Sequence, residues 1–69
     1  MNNRQFKDSL YEQFARISKA LAHPKRLELI DMLSQGERSV EALALETNMS
    51  IANTSQHLQT LKTARLINT

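Results

Sequence analysis

Cysteine and tryptophan are missing from this 69-residue chain, and glycine and proline occur once each, as Gly36 and Pro24. Without cysteine there is no disulfide, no thiolate-held zinc and no iron–sulfur cluster. A domain this short buries a smaller share of its surface than a larger one. Help for its modest core is therefore expected from a partner subunit or from further chain. Long apolar runs are missing too, and the opening Met1-Asn2-Asn3-Arg4-Gln5 is polar. Neither a targeting segment nor a membrane span is expected, which makes a cytoplasmic, soluble protein the default. There is no glycine-rich phosphate loop, no pair of carboxylates and no nucleophile beside a base. His23 and His57 fall on different elements with no third metal ligand in view. No enzyme, no cofactor and no metal site is expected.

The net charge of +2 is small, but acids are unevenly distributed. Residues 1–22 carry Arg4, Lys7, Arg16 and Lys19 against two acids, and residues 23–49 carry three bases against five acids. From residue 50 onward there are Lys62 and Arg65 and no acid at all. A segment stripped of carboxylates suits a surface that faces phosphates, because each acid there repels DNA.

The rest of the chain reads as helix. Phe6, Leu10, Phe14, Ile17 and Leu21 recur at helical spacing, giving a first helix of about 4–21. Tyr11 broadens the stripe beyond what one neighbour covers. Plain core is the simpler reading of it, and a dimer surface formed by Phe6, Leu10, Tyr11 and Phe14 is the sharper one. His23-Pro24 interrupts the pattern, since the residue before a proline leaves the helical region while proline suits a first helical position. A second helix of about 24–34 places Leu27, Ile30 and Leu33 inward, with Lys25, Arg26, Glu28 and Asp31 mostly outward. Gly36 supplies the left-handed residue that often follows a helix. Ser39 caps a third helix of about 40–47, with Glu41 in its first turn and Val40, Leu43 and Ala44 on its inner face. Asn48 tolerates positive φ and makes the next turn. Ser50 caps a fourth helix that runs to about 65. Two helices joined by a tight turn, the second acid-free, form a helix-turn-helix pattern.

At about 100° per residue, Thr54, Leu58 and Leu61 of the fourth helix face inward. The opposite side presents Ala52, Asn53, Gln56, Gln59, Thr60 and Thr63. An ordinary solvated face favours Glu and Lys, which are better helix formers than Asn, Ser or Thr. Base edges in the major groove explain the difference. Asn and Gln pair with adenine, Ser and Thr serve several bases, and Ala permits close approach or meets a thymine methyl. His57 lies between the two faces. It reads first as a packed, hydrogen-bonded residue and second as a phosphate contact.

The stretch Ala20-Leu-Ala-His-Pro-Lys-Arg-Leu-Glu-Leu-Ile-Asp-Met-Leu33 resembles the second-helix signature of the ArsR/SmtB family of winged-helix repressors. Ser50 through Ile67, with Thr54-Ser-Gln-His-Leu-Gln-Thr-Leu61 and Ala64-Arg-Leu-Ile67, is similar to that family's recognition helix. The likeness covers about residues 14–67, and Ser55-x-His57-Leu58-x-x-Leu61 is its sharpest part. It implies an all-α stretch, the helix-turn-helix core of a winged-helix domain, working as a homodimeric repressor on an inverted repeat until an inducer releases it. It implies that Ser50, Ala52, Asn53, Ser55, Gln56 and Gln59 lie nearest the DNA, to which the reading of the faces adds His57, Thr60 and Lys62. Arg26 matches the family's signature arginine, a structural or backbone-contact residue.

Three departures qualify the likeness. Where metal sensors of the family carry Cys-Val-Cys, this chain has Ser39-Val40-Glu41, so arsenic or cadmium sensing through thiolates there is rejected. Arg65 stands where a glycine commonly ends the recognition helix, so that helix is expected to end by another route. The first wing strand is due at Leu66–Thr69. Residues 1–69 are therefore expected to be one domain truncated before the wing and the last dimerising helix, and to bind DNA poorly alone. Some proteins with a similar N-terminal half continue into a rhodanese-like domain. The competing reading is a helix-turn-helix module that binds protein instead of DNA.

Overall fold

In a computed structural model, which describes residues 3–68, four helices follow one another: α1 (Asn3–Leu21), α2 (Pro24–Ser34), α3 (Val40–Thr47) and α4 (Ile51–Thr63). No strand occurs among the described residues, and none of these helices is long and apolar enough to cross a membrane. The all-α, helix-turn-helix class expected from the sequence is the class observed. α4 stops two residues short of the expected 65.

Local chemistry sets each start. His23, held extended by the proline that follows, turns its ring back so that Nδ1 accepts from the Lys25 N–H at 3.2 Å. Ser39 Oγ accepts from the Ala42 N–H at 3.1 Å, and Ser50 Oγ from the Asn53 N–H at 3.0 Å. Both serines thus satisfy amides that have no partner within the helix.

The ends of α3 and α4 are built alike. Asn48 takes left-handed φ 57°, ψ 47°, and the Met49 N–H reaches back to the Ala44 carbonyl at 2.9 Å. Arg65 takes φ 60°, and the Leu66 N–H reaches the Leu61 carbonyl at 2.9 Å. This corrects the expectation that α4 ends without a left-handed residue. The strain of a side chain there, roughly 1 kcal/mol, is offset because the same turn lays Leu66 on the core beside Leu61. Gly36 is also corrected in detail: its φ of 147° is open to glycine alone but is not the left-handed helical value.

Leu29, Met32, Leu43 and Leu61 form the buried centre, and Ile30, Leu33, Met49, Leu58, Leu66 and Ile67 pack around it. Thr47 and Thr54 are also buried. Their hydroxyls donate to the Leu43 and Ser50 carbonyls at 2.7 and 2.8 Å, so neither is left unsatisfied. The inward face of α2 is partly the expected one: Ile30 and Leu33 pack on the core as expected, but Leu29 and Met32 form its centre. Leu27, about 200° around the helix from Leu29, is 51% exposed. Lys25 and Arg26 lie one turn before the buried pair on its own side and are half-buried rather than outward.

α1 packs on α2 with its C-terminal part, burying Ala20 and half-burying Ile17 and Leu21. Its N-terminal part extends away, which gives the chain extents of 48 × 19 × 16 Å. Phe6, Tyr11 and Phe14 are more than half exposed and Leu10 is half-buried. The aromatic stripe is therefore not core within this chain.

Candidate nucleic-acid interface

Every side chain expected to line the DNA-facing surface belongs to α4 or its cap. Thr54 and Leu61 are fully buried and Leu58 is half-buried, which fixes the rotation of the helix. Ala52, Asn53, Gln56, Gln59 and Thr63 are then exposed on the opposite arc, and Ser55 and Lys62 on one flank. Ser50 is exposed at the start, its hydroxyl oxygen accepting the capping bond and its hydrogen left to donate. Thr60 is half-buried and donates to the Gln56 carbonyl at 3.2 Å. Within the arc, Gln59 Nε2 donates to Thr63 Oγ1 at 3.4 Å, a long bond that leaves most of the amide's capacity unused.

The structure separates His57 from this set. Half-buried on the far flank, its ring lies 4.5 Å from that of His23, tilted by 56°. Its Nδ1 sits 3.2 Å from an Arg26 Nη, and because guanidinium only donates, Nδ1 accepts and the ring proton lies on Nε2. Burial, then His23, then Arg26 disfavour a charged ring, so the His57 pKa lies below the ordinary imidazole value. The packed reading of His57 is the one its surroundings support.

Arg26 does more than the sequence indicates. Besides His57 it donates through Nε to the Ala20 carbonyl and through Nη to that of Lys19 at 3.2 Å. A cation thereby caps the negative end of α1 and joins it to α4. Lys25 Nζ donates to the Thr47 carbonyl, tying α2 to the end of α3. Arg38 pairs with Glu46 at 2.8 Å across the ends of α3. Lys62 is exposed toward a shallow groove lined by Val40, Ser55, Leu58 and Gln59.

Two exposed apolar side chains were missed by the sequence reading: Leu45 on α3, 83% exposed, and Ile51 at the first position of α4, 54% exposed. The signal for Ile51 was available, since a residue three before Thr54 is turned about 60° off the inward direction. Among the described residues no three metal-ligating side chains come together, and Ser39 serves as a cap.

Helices α3 and α4, closed by matched turns and presenting an uncharged amide-and-hydroxyl arc, define a helix-turn-helix domain. Residues 23–69 match the model of the bacterial regulatory protein, arsR family. The chain belongs to that family. It is 48% identical over 61 residues to the HTH-type transcriptional regulator Rv0324 of Mycobacterium tuberculosis, covering 88% of this chain and 27% of that protein. It is 42% identical over 50 residues to nodulation protein NolR of Rhizobium meliloti, covering 72% of this chain and 41% of that protein. A solved homodimeric winged helix-turn-helix DNA-binding domain of Mycobacterium bovis, a possible ArsR-family regulator, superposes with a TM-score of 0.80 at 45% identity. That match covers 93% of this chain and 57% of the other. The chain thus spans about a quarter to two fifths of the length of these two curated relatives.

Proposed function

We propose that this chain reads duplex DNA as part of a cytoplasmic transcriptional regulator, a homodimeric repressor released by an inducer. α4 enters the major groove, and two copies place their α4 helices on half-sites of an inverted repeat, about one helical turn (~34 Å) or a multiple apart. The observation that carries this reading is the exposed arc Ala52, Asn53, Gln56, Gln59 and Thr63, which holds hydrogen-bonding groups of both senses and no charge. Family membership supports regulation over catalysis, and the exposed Phe6, Tyr11 and Phe14 of α1, with the half-buried Leu10 beside them, support pairing with a second copy. Ser50, Ser55, Thr60 and Lys62 border the arc as backbone or secondary contacts, and His57 supports α4 from behind.

Gel shifts on a selected duplex and its scrambled counterpart test the proposal. Gln56→Ala is expected to lower discrimination by ~1–3 kcal/mol at one base pair. Equal losses on both duplexes overturn the assignment.

Leu45, 83% exposed on α3, favours a second reading in which the domain docks on another protein. Association with a protein that is indifferent to salt, without any DNA shift at low salt, supports that reading instead.

A further inference from the structure

We infer that the first turn of α4, Ile51 followed by Ala52, selects thymine by packing against its 5-methyl group. The inference rests on the DNA-reading proposal and adds to it a residue and a base. Ile51 directly follows the Ser50 cap and leaves more than half of its surface in water. A β-branched residue is also a poorer helix former than the Glu or Lys that commonly opens an exposed turn. Neither helix propensity nor solubility favours isoleucine at this position.

Position and chemistry together supply the reason. The N-terminal residues of a recognition helix are the ones that approach base edges. At this end the Ser50 oxygen accepts from the Asn53 amide and keeps its hydroxyl hydrogen to donate, while neither Ile51 nor Ala52 has a polar side-chain atom. Beyond the capping hydroxyl, the first two helical positions therefore offer alkyl groups where polar residues would offer hydrogen bonds. Thymine's methyl is the one apolar feature on the floor of the major groove. One turn beyond Ala52, Gln56 stands exposed with an amide suited to adenine. An apolar tip followed by an amide describes a half-site in which a thymine contact neighbours an adenine contact.

The test uses the natural protein that carries residues 1–69, since this stretch is expected to bind poorly alone, and duplexes enriched from a randomised library. Each thymine of the enriched site is replaced in turn by uracil, which removes the methyl and leaves every hydrogen-bonding group in place. At one symmetry-related pair of positions the loss is expected to be roughly fourfold per methyl, and so roughly fifteenfold for both half-sites. Ile51→Ala is expected to bind thymine and uracil duplexes within twofold of each other, while Ile51→Val, which keeps two branched methyls, retains most of the penalty. Enrichment without a uracil penalty at any position overturns this inference alone, as does a full penalty that survives in Ile51→Ala. Weakened self-association in Ile51→Ala with unchanged DNA binding overturns it in favour of a protein contact. Failure to enrich any duplex overturns the DNA reading and this inference together.

Discussion

Two faces of this molecule stand uncovered, and they differ in kind. On α1, Phe6, Tyr11 and Phe14 are each 54–57% exposed, an apolar surface that water penalises and that another apolar surface relieves. On α4 the exposed arc is Asn, Gln and Thr, groups that water satisfies and that gain only from a partner with matching donors and acceptors. The first face asks for burial and the second asks for recognition. A chain that offers both is suited to binding a copy of itself with one and a patterned polar surface with the other.

That contrast breaks most sharply at Phe14. Phe14→Asp is expected to leave the helices intact, abolish pairing in analytical ultracentrifugation, and weaken binding to a two-half-site duplex on the order of 100-fold by removing the linked second contact. Binding to a single half-site should hardly change. A dimer that survives this substitution places the pairing surface elsewhere. At Arg65 the expected effect is on stability alone. Replacement by glycine relieves the left-handed strain at φ 60° and should raise the unfolding free energy by ~1 kcal/mol, read from urea denaturation, with DNA discrimination unchanged. Lys62→Ala sharpens the α4 side of the comparison: binding to all duplexes should weaken alike, with the salt slope reduced by about 1. A base-specific loss in this variant contradicts a phosphate role.

The smallest expected effect concerns pH. Protonating His57 breaks its bond from Arg26 and sets a charge beside that guanidinium and 4.5 Å from the His23 ring, with Lys19 and Lys25 on the adjoining elements. Because its pKa is lowered on folding, the unfolded chain binds the proton more readily. The stabilisation is therefore present above the ordinary imidazole range and is lost as pH falls through the lowered folded value. Thermal melts between pH 7.5 and 5 should decline less steeply in His57→Gln than in the parent chain.

Much of this architecture was legible because it depends on local chemistry. Ser39, Ser50 and Asn48 act within a few residues of themselves, so their roles follow from type and position. The α4 faces were legible because Thr54, Leu58 and Leu61 are separated by uninterrupted polar residues. α2 was harder. Leu27, Leu29, Ile30, Met32 and Leu33 surround an eleven-residue helix almost completely, and only contacts from other elements choose Leu29 and Met32 as its centre. The same absence of long-range information hid the partners of Arg26, which lie on α1 and α4. It also left the α1 stripe open between core and interface, since periodicity reports an apolar face without saying what covers it.

Arg26 joins three helices through one side chain. Its guanidinium, carried by α2, grips the last carbonyls of α1 and the edge of α4. The helix that bears the uncovered aromatic face and the helix that bears the polar arc are thus held by the same five donors. A substitution at this one position is therefore felt by both.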